Sequence, residues 1–286
     1  IGGLSEAKLK EIVRRLDVPG LPVVLMKFID WVAGYTLQPA GTVLRMALNP
    51  IRKGYAAKPI TAIVASGRSL EECYVKPTSA REKTISAIGK RSFLTATALA
   101  EDANVSAGVV RSLIDAGVLD LVETASLSPF DKLDTHHSKT VLEGDQSEAV
   151  TALLSQLNHA FTVTLLDGVT GSGKTEVYLE AVADTLGRGM QVLVLVPEIA
   201  LTAQSFSRFS ARFGGAPALW HSDLKYKSRR ETWLGAANGT ASVVIGARSA
   251  LFLPFVNLGL IVVDEEHDAA FKQEDGVIYH ARDMAV

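Results

Sequence analysis

The sequence predicts an α/β fold in which residues 143–286 are built around a parallel sheet. The run FTVTLLDG at 161–168 is apolar and β-branched, like a buried strand, and it leads through the glycine-rich run GVTGSGKT into apolar residues at helical spacing. A second short apolar run, LGLIVV at 258–263, ends directly before Asp264. Helix and strand patterns alternate between these two runs, which is typical of a doubly wound parallel sheet.

The composition bounds the class of protein. The chain has 286 residues, 48% of them hydrophobic, which is enough for two or three domains. Its longest apolar runs fall well short of the roughly 20 residues of a membrane helix. No signal peptide is recognisable, so we expect a cytoplasmic protein with no membrane partner. Cys73 is the single cysteine, which excludes an internal disulfide or a cysteine zinc cluster within these residues.

Charge is unevenly distributed along the chain. Residues 1–60 carry nine Lys and Arg against four Asp and Glu, whereas residues 141–286 carry eleven against seventeen. Because neutralisation of phosphates dominates nucleic-acid affinity, the basic N-terminal end hints at DNA or RNA binding. The alternative is an ordinary solvated surface.

The N-terminal part is predicted to be helical. Residues 5–16 and 22–48 have apolar side chains at helical spacing, and Trp31 and Tyr35 are expected in the core rather than at a ligand. Residues 49–59 hold two prolines and a glycine, which marks a linker or a domain edge.

Residues 60–125 indicate a winged helix. A strand and a helix precede a helix-turn-helix pattern whose helices are expected at 95–103 and 107–116. The second of these helices offers only Arg111 and an opposing Asp115. Contact with DNA and a role as a protein or interdomain spacer therefore stay equally open.

Residues 126–142 are polar and contain a proline, which indicates a linker. His136 and His137 within it are expected to be exposed. No further His or Cys stands at ligand spacing, so we expect no metal site there.

The run GVTGSGKT matches the phosphate-binding pattern G-x-x-x-x-G-K-[ST]. Small residues let successive backbone N–H groups close around phosphate oxygens, where a Cβ would crowd the turn. Lys174 would supply positive charge to the β- and γ-phosphates, and Thr175 would offer a hydroxyl to Mg²⁺ at the start of a helix whose dipole favours anions. A glycine-rich turn with a chance Lys-Thr is the alternative, which the strand-loop-helix setting disfavours.

The acidic run after residues 258–263 is the second half of a candidate ATP and magnesium site. Ligands bind at the carboxyl ends of the strands in open α/β sheets. Asp264 is placed to hold Mg²⁺ through water, and Glu265 is placed to orient or deprotonate the attacking water. Taken alone, the acidic pair also suits a helix N-cap.

Several motifs in one order carry a resemblance to a known family. They are Asp145-Gln146, GVTGSGKTEVYL, VPEIALT, His221-Ser222, IGARSALF, DEEH and AFKQEDGVIYHARDMAV. In this order they resemble the bacterial primosomal replication-restart helicases of superfamily 2, closely over about 150–286. The run at 31–48 is similar to the end of that family's N-terminal DNA-binding domain.

The resemblance implies a domain organisation. The second half would be a P-loop NTPase of RecA-like type, helicase lobe 1, preceded by a winged-helix domain and the remnant of an N-terminal DNA-binding domain. The expected bounds are 1–58 for the remnant of the 3′-DNA-binding domain, 59–126 for the winged helix, 127–142 for a linker and 143–286 for lobe 1.

The resemblance also implies an activity. The family's members are ATP-dependent 3′ to 5′ DNA helicases, with DNA-stimulated ATPase activity, that recognise stalled or abandoned forks and promote primosome assembly and replication restart. The implied cofactors are ATP and Mg²⁺, while zinc belongs to a cysteine-rich region that these residues lack. The implied partners are forked or single-stranded DNA, other primosome proteins and single-strand DNA-binding protein.

Site residues follow from the resemblance position by position. ATP binding falls on Gln146, which would read the adenine edge, and on Gly168, Thr170, Gly171, Ser172, Gly173, Lys174, Thr175 and Glu176. Catalysis falls on Lys174, Asp264 and Glu265, and coupling of nucleotide state to DNA on Glu266 and His267. DNA contact falls on Pro197, Glu198, Thr202, Arg248, Ser249, Phe271, Lys272, Tyr279 and Arg282. Packing within the lobe is the alternative for Phe271 and Tyr279, and strand-end packing for the DNA-contact residues at 197–202 and 248–249.

Some features depart from the family. Ala247 stands where a threonine is usual, which weakens the phosphate contact expected of Arg248. We expect the chain to be a fragment, since it runs from Ile1 to Val286 without a second motor lobe or its arginine finger. Such a finger is worth about 10³–10⁵ in rate, so the fragment is expected to bind ATP and to hydrolyse it poorly.

Two other classes of function remain open at this point. Another P-loop NTPase, such as a kinase, would share GVTGSGKT but would not need Gln146 or the run DEEH. A DNA-fork and partner-binding module would keep nucleotide as a structural ligand with little turnover.

Overall fold

The computed structural model of the chain describes most of its length. The described residues are 15, 18–51, 60–88, 93, 95–124, 130–139, 141–157, 161–169, 171–201 and 203–286. They form two compact units, one of Ile1–Tyr55 with Phe130–Val286 and the other of Ala56–Pro129. Within the described ranges, no helix has both the length and the apolar character needed to cross a membrane.

Two helices open the larger unit. Helix α1 spans Val23–Tyr35, and α2 spans Ala40–Leu48 and continues into a 3₁₀ turn at Asn49–Ile51. The prediction that residues 22–48 are helical is thus correct apart from residue 22 and residues 36–39, which separate two helices. Leu37 adopts a φ of 54° and Pro39 restricts the residue before it, so the chain leaves the helical conformation between the two helices. The helix predicted at 5–16 lies outside the described residues apart from Arg15.

Trp31 and Tyr35 lie on the outer face of α1, so the expectation that they belong to the core is wrong. Trp31 is 50% exposed and Tyr35 is 63% exposed. The rings stack on each other with their centroids 5.3 Å apart. Ile29 and Val32 are buried in the core, and Trp31, one position before Val32, is rotated by about 100° around the helix axis away from it.

The smaller unit has the order of elements predicted for residues 60–125. Its elements are β1 (Ile60–Ala65), α3 (Ser79–Ile88), α4 (Ala96–Ala103), α5 (Ala107–Asp115) and β2 (Leu119–Thr124), with β1 and β2 antiparallel. The hydroxyl of Thr95 caps the first turn of α4, and Asn104 ends that helix in the left-handed conformation. Arg111 and Asp115 are both exposed on α5. The winged-helix assignment stays a prediction.

The larger unit contains the predicted parallel sheet. Its strands are β3 (Gln191–Leu195), β4 (Ala218–Trp220), β5 (Val243–Gly246) and β6 (Leu258–Val263), in the spatial order β4-β5-β3-β6. All neighbouring pairs are parallel, and every residue of β3 is buried. The α/β fold class is thus confirmed, and the carboxyl ends of the four strands meet at one edge of the sheet.

Helices and a short hairpin surround the sheet. They are α6 (Gly144–Gln156), α7 (Lys174–Gly187), α8 (Ala203–Phe213), α9 (Tyr226–Asn238), the hairpin of β7 (Lys272–Gln273) and β8 (Tyr279–His280), and α10 (Ala281–Ala285). Helices α1 and α2 share a hydrophobic core with these elements. At that contact the indole N–H of Trp233 donates to the carbonyl of Ala47 at 2.7 Å, and the rings of Phe28 and Phe252 lie 5.5 Å apart.

The strand predicted at 161–168 is not formed. Residues 161–169 are irregular, and Phe161, Val163 and Leu165 are 61–77% exposed. No described strand pairs with this segment or with the outer edge of β6. A strand is stable only where a neighbour satisfies its backbone N–H and C=O groups, and an apolar, β-branched sequence does not provide that neighbour.

Residues 130–139, predicted as part of a linker, pack on the larger unit. The buried guanidinium of Arg212 donates to the carbonyl of Thr135 at 2.9 Å and pairs with Glu180 at 2.9 Å. The carboxylate of Asp131 accepts from the backbone N–H of Ala216 at 2.9 Å. His136 and His137 are exposed, as expected.

Candidate nucleotide-binding site

The glycine-rich loop before α7 has the backbone of an anion-binding turn. Gly171 and Gly173 both adopt a φ of +83°, a conformation that strains residues with a Cβ. A Cβ on Gly173 would collide with the side-chain amide of Gln146. Helix α7 then begins at Lys174, so its first backbone N–H groups face the loop. Thr170 lies outside the described residues.

Lys174 contacts the loop itself. Its ammonium group donates to the carbonyls of Gly168 at 2.6 Å and Val169 at 3.2 Å. A Cβ on Gly168 would come within 2.7 Å of the Ser172 hydroxyl, so the loop is closely folded around this lysine. The phosphate-binding role of Lys174 stays a prediction.

Gln146 joins α6 to the loop. Its side-chain oxygen accepts from the backbone N–H of Glu143 at 3.2 Å, which completes a capping box at the start of α6. Its amide nitrogen donates to the carbonyl of Ser172 at 3.0 Å. The structure therefore places Gln146 beside the loop, while its reading of adenine stays a prediction. Glu176, in the first turn of α7, lies next to the same loop.

Asp264 stands at the carboxyl end of β6. Its backbone N–H donates to the carbonyl of Leu195 at 2.9 Å, which continues the pairing with β3 by one residue. Its carboxylate accepts two hydrogen bonds, one from the Glu265 backbone N–H to Oδ1 and one from the Tyr178 hydroxyl to Oδ2, each 3.0 Å long. Glu265 has a φ of 53°, which is strained for a residue with a long side chain.

Tyr178 is a functional candidate that the sequence reasoning missed. It stands three residues after Thr175 on α7, so the two side chains share a face of that helix. Burial, followed by the charge of Asp264, raises the pKa of Tyr178 well above its ordinary value, so the phenol stays protonated and donates. The only signal in the sequence was the helical spacing from Thr175, because Asp264 is 86 positions further along the chain.

A cavity of about 80 Å³ brings the two motifs together. Thr175 and Tyr178 line it from α7, Pro197 from the end of β3, and Asp264 and Glu265 from the end of β6. The structure thus places the residues predicted for magnesium, Thr175 and Asp264, at one cavity. The predicted pairing of the glycine-rich loop with the acidic run is consistent with this geometry.

The donor set fits Mg²⁺ bound together with phosphate. Among the described residues no group of three His, Cys, Asp or Glu side chains is arranged to hold a metal. Mg²⁺ is usually held by one or two protein oxygens, with water and substrate phosphates completing the octahedron. The Thr175 hydroxyl and one Asp264 carboxylate, beside a loop of backbone donors, match that requirement.

Glu266 and His267 extend from the acidic run toward other parts of the unit. The Glu266 carboxylate accepts from the guanidinium of Arg282 at 2.8 Å, and this pair joins the acidic run to α10. His267 lies 3.7 Å from the carboxylate of Glu265 and is 75% exposed. Their role in coupling stays a prediction.

The residues predicted for DNA contact differ in their surroundings. Glu198, Lys272 and Arg282 are exposed, Pro197 is buried at the end of β3, and Thr202 lies outside the described residues. Arg248 and Ser249 are engaged within the protein. Arg248 donates to the carbonyls of Ala270 at 2.8 Å and Lys272 at 3.1 Å, and the Ser249 hydroxyl accepts from the indole of Trp220 at 3.0 Å.

Phe271 and Tyr279 are buried, which corrects the expectation that they meet single-stranded DNA. Phe271 is 1% exposed and Tyr279 is 3% exposed. The Tyr279 ring packs edge-on against Phe252 with centroids 5.6 Å apart. Base stacking needs an accessible ring face, and neither ring presents one, so the packing alternative describes both residues.

Comparison with known proteins identifies the family of the chain. A family model described as DEAD/DEAH box helicase matches residues 143–285, and a model described as a 3′ DNA-binding domain matches residues 3–49. Proteins named replication restart protein PriA are similar to this chain. The protein from Chlamydia pneumoniae is 36% identical over 93% of the chain, that from Haemophilus influenzae 36% over 99%, and that from Rickettsia conorii 46% over 59%. These matches cover 37%, 40% and 25% of the respective relatives, so the chain spans less than half of their length.

Proposed function

The chain belongs to the DEAD/DEAH box helicase family and is a relative of the PriA replication restart proteins, and from this we propose that it binds ATP with Mg²⁺ and serves a DNA helicase as its nucleotide-binding lobe. One observation carries the proposal. Thr175, which directly follows the glycine-rich loop and Lys174, lines one cavity together with Asp264 and Glu265 of the acidic run, at the carboxyl edge of a parallel sheet. A kinase would not need this acidic run, so the alternative of another P-loop enzyme is set aside.

The loop, Lys174, Thr175 and the two acids each have a role in the proposal. The loop N–H groups and Lys174 hold the phosphates, Thr175 and Asp264 hold Mg²⁺, and Glu265 orients the attacking water. Bound Mg²⁺ neutralises charge that develops on the phosphate oxygens. Glu265 is 52% exposed and contacts the Asp264 carboxylate through its backbone N–H, so we assign its own carboxylate a separate role.

The finer function rests on the family resemblance of the sequence motifs, and the names of the relatives support replication restart alone. We infer that the complete protein is a cytoplasmic 3′ to 5′ helicase that acts on stalled or abandoned forks and promotes primosome assembly and replication restart. Forked or single-stranded DNA, primosome proteins and single-strand DNA-binding protein are its proposed partners. The match of residues 3–49 to a 3′ DNA-binding domain supports the DNA part of this proposal.

The exposed charges are the proposed DNA contacts of the larger unit. Lys272 and Arg282 are exposed near the hairpin of β7 and β8, and Arg282 also bonds Glu266 of the acidic run. A phosphate that competes for Arg282 would loosen this bond and so change the surroundings of the acidic run. Glu266 and His267 are proposed to couple nucleotide and DNA in this way.

The experiment measures binding of a fluorescent ATP analogue and DNA-stimulated ATP hydrolysis. Lys174→Ala is expected to weaken nucleotide binding by about 10- to 100-fold, the loss of one charge-assisted contact to phosphate, and to abolish stimulated hydrolysis. Lys227→Ala, which removes a 78% exposed lysine on α9, is the matched control and should leave both unchanged. Fork DNA should still bind to Lys174→Ala and should dissociate as salt is raised.

Two outcomes would contradict the proposal. Nucleotide binding that Lys174→Ala leaves intact would show that the loop is not the phosphate site. Fork-DNA binding by a chain that binds no nucleotide at all would favour the DNA-fork and partner-binding module.

A further inference from the structure

We propose that Tyr178 is a positioning residue for magnesium, holding the Asp264 carboxylate in the orientation in which it meets Mg²⁺ bound with nucleotide. The inference rests on the proposed function, since it concerns the same site. It assigns a role to a residue outside both the phosphate-binding pattern and the acidic run.

Helix α7 places Tyr178 where it can act on both halves of the site. Lys174 and Thr175 form the first turn of that helix, and Tyr178 follows one turn later on the face of Thr175. Its hydroxyl crosses to β6 and donates to Asp264 Oδ2 at 3.0 Å. One rigid helix therefore carries the phosphate-binding lysine, the magnesium-binding hydroxyl and the donor that fixes the opposing carboxylate.

The second oxygen of Asp264 is held as well. Oδ1 accepts from the backbone N–H of Glu265 at 3.0 Å, and Glu265 keeps a φ of 53° while it does so. With one donor on each oxygen, the carboxylate cannot rotate without losing a hydrogen bond. Each oxygen keeps a further lone pair for a metal or a metal-bound water.

Hydrogen-bond donors to a metal-binding carboxylate change its affinity for the metal. Carboxylates that bind metals are commonly held by outer hydrogen-bond donors, and removing such a donor typically costs 10- to 100-fold in metal affinity or activity. In Tyr178→Phe the Asp264 carboxylate would lose its Oδ2 donor, whereas the loop and Lys174 would remain. The effect should therefore appear in the magnesium dependence and not in binding of the nucleotide itself.

The test is a magnesium titration of fluorescent ATP-analogue binding to the whole chain. Tyr178→Phe is expected to raise the magnesium concentration at half-saturation by about 10- to 100-fold and to leave nucleotide affinity in EDTA unchanged. Tyr279→Phe is the matched control, because it removes a hydroxyl from another tyrosine of the larger unit whose oxygen has no hydrogen-bond partner within the described chain. It should titrate like the wild type.

A double-mutant cycle separates positioning from a general loss of structure. If Tyr178 acts through Asp264, Tyr178→Phe should add little to the magnesium defect of Asp264→Asn. Thermal unfolding of each variant checks that it is folded.

Three results would overturn the inference. A Tyr178→Phe variant with the magnesium response of the wild type removes the role, as does one that weakens binding equally in EDTA. Full additivity with Asp264→Asn also removes it. Failure of the wild-type chain to bind any nucleotide would instead overturn the proposed function, and this inference with it.

Discussion

Arg248→Ala tests whether this arginine holds DNA or holds the protein together. The resemblance to the helicase family implies that Arg248 contacts the DNA backbone. In the structure one terminal nitrogen of its guanidinium donates to the carbonyl of Ala270 at 2.8 Å and to that of Lys272 at 3.1 Å. These carbonyls lie at the start of the hairpin of β7 and β8, so truncation to alanine removes two hydrogen bonds that fix it.

The size of the effect follows from these two bonds. A hydrogen bond to a charged group contributes about 1.5–3 kcal/mol, and of these two bonds the one to Ala270 is partly buried while the one to Lys272 is exposed. We therefore expect a loss of about 2 kcal/mol, with little from the exposed bond. In a unit of this size each kcal/mol lowers Tm by about 2–4 °C, which gives a shift of about 4–8 °C.

Thermal unfolding without DNA measures this loss, and fluorescence anisotropy with single-stranded DNA at two salt concentrations measures binding. Arg45→Ala, at an exposed position of α2, is the control and should melt like the wild type. Arg248→Lys keeps the charge but loses the reach of the guanidinium, so it should melt between the two. If Arg248→Ala melts within about 1 °C of the wild type but loses DNA affinity, the proposed stabilisation of the hairpin by Arg248 is refuted and the DNA contact is supported.

Two further predictions concern the loop and the buried ion pair. Gly173→Ala should weaken binding of the ATP analogue at least 10-fold, because alanine is strained at a φ of +83° and its Cβ would collide with Gln146. Gly187→Ala is the control and should leave binding unchanged, since nothing lies within 4 Å of a Cβ at that position. Arg212→Ala should lower the free energy of unfolding, measured by chemical denaturation, by about 3–5 kcal/mol. The substitution leaves the Glu180 carboxylate, which is 19% exposed, without its charged partner. A loss of less than about 1 kcal/mol would contradict this prediction.

The parts of the site that could be predicted are those encoded by neighbouring residues. Gly171, Gly173 and Lys174 follow one another within a single turn, so their spacing alone indicated the loop. Asp264 comes directly after a short apolar strand, and the carboxyl ends of parallel strands meet at one edge. The fold class and the family could also be predicted, because both depend on short local patterns in a fixed order along the chain. The parallel sheet and the helicase family model confirm them.

The parts that could not be predicted depend on partners distant in sequence. The run at 161–168 has the composition of a strand, but a strand also requires a neighbour to pair with, and none of the described residues supplies one. Tyr178 looks like any aromatic residue of an amphipathic helix until the fold places Asp264 opposite its hydroxyl. Linear spacing carries no information on either partner.

Aromatic residues show this limit most clearly. Trp31 and Tyr35 were expected in the core and are exposed, whereas Phe271 and Tyr279 were expected at DNA and are buried. An aromatic side chain gains similar free energy from burial wherever it stands, so the orientation of the helix or hairpin decides which rings are covered. Near the hairpin of β7 and β8 the exposed residues proposed for DNA, Lys272 and Arg282, are cationic, whereas the rings of Phe271 and Tyr279 are buried. We therefore expect these side chains to contact DNA phosphates and not bases. DNA affinity at this surface should fall as salt is raised and should not depend on the type of base, which stacking would influence.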